Sequence, residues 1–96
     1  MIKIVAKMFV KPECAAEFTA QAQELVQKSA AEEGNISYTL NQSTADPCVL
    51  AFIEFWKDQE AIDSHNASEH FRRILPLLAG MCAKAPEADL FTETEF

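Results

Sequence analysis

Residues 48–56 read CVLAFIEFW, and this stretch decides the fold more than any other part of the chain. It alternates as a β-strand does, with apolar residues on both of its faces. One face carries Val49, Ala51, Ile53 and Phe55, and the other carries Leu50, Phe52, Glu54 and Trp56. A strand that is buried on both sides belongs in the middle of a covered sheet. The sequence therefore predicts a central strand with helices on one side and a further layer on the other.

Three further segments alternate with the period of a strand, namely residues 2–10, 36–41 and 88–96. In residues 36–41 we expect Ile36, Tyr38 and Leu40 to share one face of the strand. Turn-forming residues separate this strand from the central one, which favours a hairpin. The chain therefore offers four strands, two of them joined directly.

Two segments carry the helical period. From Ala15 apolar side chains recur every three or four residues, and we expect this long helix to end at Gly34 in a left-handed cap. Asp58 caps a second helical region, where we expect a break between residues 66 and 76 because Pro76 disfavours a helix interior. The order β-α-β-β-α-β predicts an α+β fold of the ferredoxin-like type, an antiparallel four-stranded sheet with helices on one face.

The size and composition of the chain favour one domain, residues 1–96, that associates with a copy of itself. Its 96 residues are 49% hydrophobic, with only two Gly and four Pro. A domain this small buries only about 60–65% of its unfolded surface. A helical layer covers one sheet face, so we expect a homodimer to cover the other.

The charge and the cysteines limit the partners and the compartment. A net charge of −7 disfavours both nucleic acid and anionic membranes. The N-terminal stretch has lysines and no cleavage pattern, so it is expected to be a strand rather than a leader, and no apolar run has the length of a membrane span. Three widely spaced cysteines fit unpaired thiols in a reducing cytoplasm.

Side chains that could carry chemistry concentrate between Glu54 and Phe71. No cofactor-binding motif is present, so no cofactor is expected. His65 faces inward with the apolar residues of its helix, towards the end of the sheet near Trp56. On a straight helix His65 and His70 lie about 140° apart, so no shared metal is expected unless the break after Asn66 re-aims His70.

Each candidate also has a structural interpretation. Trp56 could form a pocket wall or fill the core, and His65 could act on a substrate or be a hydrogen-bonded core histidine. His70 could take part in catalysis, cap the helix that restarts there or support His65. The hydroxyl of Tyr38 needs a partner, from a ligand or from protein. Glu54 is either a pocket acid or a pairing group at the dimer interface.

The run E-x-W-x-D-x-x-A-x-x-x-H-x-x-S-x-H-F, residues 54–71, closely resembles the signature of antibiotic biosynthesis monooxygenase domains. Other family motifs are V-A-K at residues 5–7, V-K-P at 10–12, E-x-G-x-x-x-Y at 32–38 and P-L-L-A-G at 76–80. The resemblance covers nearly the whole chain. It implies a dimeric α+β barrel in which two ferredoxin-like sheets pack face to face, with a cavity between each sheet and its helices.

The characterised proteins that this family resemblance implies as relatives are functionally diverse. They include cofactor-independent quinol or anthrone monooxygenases, haem-degrading enzymes and an isomerase of a phosphorylated quorum-sensing molecule. The haem-degrading branch pairs its Trp and His with an Asn on the first strand, where this chain has Ala6 and Lys7. Haem degradation is therefore not expected.

Three functions follow from these observations. The first is a cofactor-independent monooxygenase that uses O₂ on a small phenolic or quinol-type substrate, with His65, Trp56 and Tyr38 as catalytic residues. Its substrate would be bound by a further group of side chains: Phe52, Glu54, His70 and Phe71. The second is an isomerase of a small hydroxy-ketone; if that substrate is phosphorylated, Arg72 or Arg73 could bind its phosphate. The third is a dimer that binds a small molecule without catalysis.

Overall fold

The computed structural model describes the whole chain, residues 1–96, and its elements follow the predicted order. The strands are β1 (Ile2–Phe9), β2 (Asn35–Gln42), β3 (Val49–Trp56) and β4 (Glu87–Phe91). The helices are α1 (Ala15–Ala30), which a short 3₁₀ turn at Pro12–Cys14 precedes, α2 (Gln59–Asn66) and α3 (Glu69–Gly80). All strand pairs are antiparallel in the order β2-β3-β1-β4. The predicted α+β ferredoxin-like fold is confirmed.

The strand β3 lies between β1 and β2, as its composition predicted. Its residues Leu50, Phe52, Glu54 and Trp56 are all buried. Leu50, Phe52 and Trp56 belong to one core with apolar side chains of α1, α2 and α3, namely Phe18, Ala22, Leu25, Ile62, Ile74 and Leu78. Burial of these side chains is what holds the helices on the sheet, since each Leu, Ile or Phe among them contributes about 1.5–3 kcal/mol relative to exposure.

The other face of β3 carries Val49, Ala51, Ile53 and Phe55, which are only half-buried. The molecule measures 39 × 34 × 19 Å, so its thinnest dimension holds two layers. Within one chain the helices cover one side of the sheet and this apolar side stays open. None of the three helices combines the length and the apolar composition that crossing a bilayer requires.

The prediction of a left-handed cap at Gly34 is wrong. The helix α1 ends at Ala30, and no residue of the chain has a positive φ. Gly34 instead lies where α2 crosses the end of the sheet: a Cβ on Gly34 would come within 2.3 Å of the Cβ of Ala61. The glycine is therefore needed for close packing rather than for its backbone conformation.

Three local expectations also need correction. A β-bulge at the start of β2 makes Ile36 the extra residue, so it is 58% exposed instead of sharing the buried face of Tyr38. The last strand ends at Phe91, five residues before the end of the chain. The break expected between residues 66 and 76 is present directly after Asn66, but the reason given for it is wrong, because Pro76 is accommodated inside α3.

Candidate functional site

The turn between α2 and α3 is built around Ser68. Its Oγ donates a hydrogen bond to the carbonyl of His65 over 2.6 Å and accepts one from the backbone N–H of Phe71 over 3.3 Å. The hydroxyl thus ends one helix and caps the next, since each helix end leaves backbone groups without partners. The chain changes direction here, and His70 is no longer where a straight helix would put it.

Both histidines meet one carboxylate. Nδ1 of His65 lies 2.6 Å from Oε2 of Glu32, and Nε2 of His70 lies 2.9 Å from the same oxygen. The side chain of His65 is 2% exposed, whereas His70 and Glu32 are 14% and 17% exposed. The break after Asn66 has therefore re-aimed His70 towards His65, and the separation of about 140° expected for a straight helix does not apply.

Aromatic rings surround His65 on its other sides. Its ring centroid lies 4.6 Å from that of Trp56, 5.5 Å from Tyr38 and 4.9 Å from Phe71. Phe52 extends the same cluster, with its ring 5.8 Å from that of Tyr38. We call this group, with Glu32 and His70, the histidine cluster. The predicted site residues therefore lie close together, although they come from four different elements, β2, β3, α2 and α3.

Glu54 is buried beside the histidine cluster. Only 5% of Glu54 is exposed, and its Oε1 accepts a hydrogen bond from Nε1 of Trp56 over 2.9 Å. Burial raises the pKa of this carboxyl to about 7, although the hydrogen bond from Trp56 by itself lowers the pKa. Glu54 lies on the sheet face that the helices cover, so the interpretation as a pairing group on the open face is wrong.

The cluster holds His65 in one tautomer. An ionised Glu32 can only accept hydrogen bonds, so the proton of the neutral imidazole lies on Nδ1 and the lone pair on Nε2. Burial lowers the pKa of His65, while the Glu32 carboxylate opposes that effect. Burial also raises the pKa of Tyr38 beyond its ordinary value, and the charge of Glu54 adds to it. Tyr38 therefore stays a neutral hydrogen-bonding group at physiological pH.

The structure does not contain a ready cavity at the rings themselves. Trp56 is fully buried and His65 nearly so, with their rings in contact. A neighbouring cavity, of about 400 Å³, is lined by Glu32 but by neither histidine. Its lining is polar and mostly acidic: Glu32, Glu33, Asp58, Glu60, Lys57 and Ser64, with Gly34 and Ala61.

Sequence reasoning missed Glu32 as a site residue. It lies in the turn after α1, where its N–H donates to the carbonyl of Ser29 and its carbonyl accepts from the N–H of Asn35. Its place in the E-x-G-x-x-x-Y motif with Tyr38 was the available signal. What the motif could not supply is the distance to His65, 33 residues further along the chain.

The arginines proposed as phosphate ligands lie elsewhere. Arg73 is exposed on α3 and pairs with the carboxylates of Glu24 and Glu69, the latter with Nε and Oε1 2.5 Å apart. Both arginines line a shallow surface depression with Ala67 and Glu69. None of the contacts found for Arg72 or Arg73 joins them to the histidine cluster.

The fold and the site can now be compared with those of known proteins. The chain combines a ferredoxin-like sheet with an inward histidine that is hydrogen-bonded to a glutamate. The family model for antibiotic biosynthesis monooxygenase matches residues 1–76. A protein of Bacillus subtilis (strain 168) named "Putative monooxygenase YcnE" is 43% identical over 72 residues, which are 75% of this chain and 76% of that protein. The chain belongs to the antibiotic biosynthesis monooxygenase family.

Solved structures of other proteins share this fold. A conserved protein from Methanosarcina mazei Go1 superimposes with a TM-score of 0.95 at 36% identity, over 97% of this chain and 92% of that one. A structure named as an antibiotic biosynthesis monooxygenase also gives a TM-score of 0.95, at 34% identity, over 99% of this chain and all of its own. The resemblance seen in the sequence motifs is therefore confirmed.

Proposed function

We propose that the protein is a cofactor-independent monooxygenase that oxidises a small phenolic or quinol-type substrate with O₂. The observation that carries this proposal is the bond of 2.6 Å between Nδ1 of His65 and Glu32. A buried imidazole fixed in this way presents a basic Nε2 on the opposite edge of the ring. Membership of the family supports the reaction class.

His65 would remove the proton that makes the substrate reactive towards O₂. A phenolate or enolate is a much better electron donor than the neutral molecule, and its formation is a general-base step. The proton passes from the substrate hydroxyl or adjacent C–H to Nε2, and the imidazolium is stabilised by Glu32. Glu32 is thus a positioning residue, while His65 is catalytic.

The substrate supplies the electrons for the whole reaction. One oxygen atom of O₂ enters the carbon skeleton as a new carbonyl or hydroxyl group. The other oxygen atom leaves as water together with the two hydrogens that the substrate loses. No external reductant is needed, and the product is two electrons more oxidised than a simple hydroxylation would give.

The aromatic side chains would hold the ring of the substrate. Trp56 and Tyr38 flank His65, and Phe52 and Phe71 continue the apolar wall. Because these rings are in contact, binding requires some of them to separate. Phe71 is the half-buried ring, so we expect the substrate to enter on the α3 side, past Phe71 and His70. Glu54, a carboxyl with a raised pKa, would donate a hydrogen bond to a substrate oxygen.

The active form would be a homodimer in the cytoplasm. The open apolar face of the sheet matches a second copy of itself, and its half-buried residues need such a cover in water. All three cysteines are free thiols, which suits a reducing compartment. Binding without catalysis is less well supported, because His65 is bonded to a carboxylate instead of a backbone carbonyl.

The reaction type is tested with labelled O₂. The purified protein is incubated with naphthoquinol or anthrone under isotopically labelled oxygen, and the product mass and oxygen uptake are measured. A monooxygenase incorporates one labelled atom and consumes one O₂ for each product molecule. An isomerase consumes no oxygen with its hydroxy-ketone substrate. Absence of label in every product, with the folded dimer present, would contradict the proposal.

A further inference from the structure

The histidine cluster carries a second chemical possibility that base catalysis does not use. Two imidazole nitrogens and one carboxylate oxygen converge: the donor atoms of Glu32, His65 and His70 all lie within 4.8 Å of one another. We propose that Glu32, His65 and His70 form a binding site for a divalent transition-metal ion, with Nδ1 of His65, Nε2 of His70 and Oε2 of Glu32 as ligands. This inference does not depend on the proposed oxygenase activity.

The distances from Oε2 of Glu32 to the two imidazole nitrogens are close to those between ligands of one metal ion. Ligands about 2.1 Å from a metal lie about 3.0 Å apart at octahedral angles and about 3.4 Å apart at tetrahedral angles. The two nitrogens lie 2.6 and 2.9 Å from the shared oxygen. Both rings already point at one atom, so their lone pairs converge once the protons leave. Small outward shifts of the side chains would admit an ion.

The ligand types indicate which ions would bind. Imidazole nitrogens suit zinc, iron, nickel and copper, whereas magnesium and calcium prefer oxygen alone. Two histidines and one carboxylate leave coordination positions free for water or another small molecule, as in open metal sites. We therefore assign the site to a transition-metal ion and use zinc and cobalt(II) as probes.

The neighbouring cavity provides a route for a cation. It reaches Glu32 from the surface, and four carboxylates line it, Glu32, Glu33, Asp58 and Glu60, against the single cation of Lys57. Such a charge balance raises the local concentration of cations. His70 and Glu32 are partly exposed, so two of the three ligands can meet an ion before His65 does.

Metal binding would change the proton on His65. The ion takes Nδ1, the nitrogen that now donates to Glu32, and neutral His65 then carries its proton on Nε2. The proton therefore moves from Nδ1 to Nε2 without net release from the neutral ring, and binding removes the lone pair that a base needs. If the proposed function holds, the metal-free protein is the active form and zinc is an inhibitor.

The test measures binding directly. Zinc is titrated calorimetrically into the wild-type protein after treatment with a chelator, and cobalt(II) binding is followed by its visible absorption. We expect one site per chain. Glu32→Gln and His70→Ala should each weaken binding at least about tenfold, since even indirect partners of a metal are worth that much. Zinc should also raise the melting temperature of the wild type more than that of either variant.

Glu33→Gln is the matched control. Glu33 lines the same acidic cavity but lies outside the three ligands, so its variant should lose much less zinc affinity than Glu32→Gln or His70→Ala. The chain has only two histidines, so nitrogen-15 NMR of the imidazoles identifies the liganding atoms. Zinc should shift Nδ1 of His65 and Nε2 of His70.

Three results would overturn the proposal. The first is a wild type that binds no zinc. The second is equal binding by the wild type and a folded Glu32→Gln or His70→Ala variant. The third is a cobalt spectrum with a thiolate charge-transfer band, which would place the ion on the cysteines. Circular dichroism decides whether each variant is folded, and the imidazole NMR of the wild type tests the site without any variant.

Discussion

A single oxygen atom of Glu32 organises the candidate site. It receives both histidines, which lie on different helices, and thereby fixes the tautomer of the more buried one. A hydrogen bond to an ionised carboxylate contributes about 1.5–3 kcal/mol to stability. Since Glu32 is only partly buried, we expect its loss to affect the geometry of His65 more than the fold.

Glu54 makes the stability of the protein depend on pH. Its pKa is about 7 in the folded chain, against 4.5 for the unperturbed group. Between these values the folded state holds a proton that the unfolded state has lost, so stability falls as pH rises from 4.5 to 7 and is level above that. The fall from this group is about 2–3 kcal/mol.

Glu54→Gln should remove this part of the pH dependence. The amide cannot ionise, yet its oxygen can still accept the hydrogen bond of Trp56. Urea unfolding at about pH 5 and about pH 8 should show a smaller loss of stability in the variant than in the wild type, by about 2 kcal/mol. Identical losses in both proteins would mean that Glu54 is ionised in the folded state throughout this range.

The helices α2 and α3 place the two histidines, and their ends could be predicted in part. Asp58 was expected as a cap, and its carboxylate accepts from the N–H of Ala61 over 2.9 Å. The position of His70 could not be predicted, because it depends on how Ser68 turns the chain between the helices. The spacing of apolar residues predicts which face of a helix a residue occupies, but it does not predict the angle between two helices.

The contact between Gly34 and α2 is expected to control the position of His65. In Gly34→Ala the added methyl would lie 2.3 Å from the Cβ of Ala61, so α2 must move. We expect a loss of about 1–3 kcal/mol in unfolding free energy, as for other over-packed sites. Urea unfolding measures it, and a displaced α2 would also shift the imidazole NMR signal of His65.

Gly80→Ala is the control for this substitution. A Cβ at Gly80 meets nothing within 4 Å, and the residue ends α3 without a positive φ. Alanine there should be neutral or stabilise by up to about 1 kcal/mol, because it restricts the unfolded chain. If both variants lose the same stability, close packing at Gly34 is not the reason for the glycine.

The molecule as a whole is two layers thick, and one sheet face has no cover within the chain. The sequence of β3 predicted this situation, since apolar residues on both faces require two covering layers. Family motifs and strand patterning therefore predicted the fold almost completely. The site was predicted less well: the patterns grouped Tyr38, Trp56 and His65 but omitted Glu32. The family resemblance implied a cavity between sheet and helices, where the rings instead pack together.

Association of two copies is tested on the open face. Wild-type protein should sediment at about twice the 10.7 kDa mass of the chain. Ile53→Asp places a charge at the centre of the open face and should give monomers, because an unpaired carboxylate is costly to bury. Gln21→Asp, on the exposed side of α1, should stay dimeric. A wild type that is monomeric at all concentrations would contradict a dimer through this face.

The central claim is that His65, held by Glu32, is the base of an oxygen-consuming reaction. Oxygen uptake is measured with naphthoquinol and anthrone in the presence of a chelator, for the wild type and His65→Gln, after subtraction of the uncatalysed rate. The account predicts catalysed uptake by the wild type and a loss of at least about 100-fold in the folded variant. Uptake by His65→Gln at the wild-type rate would contradict it.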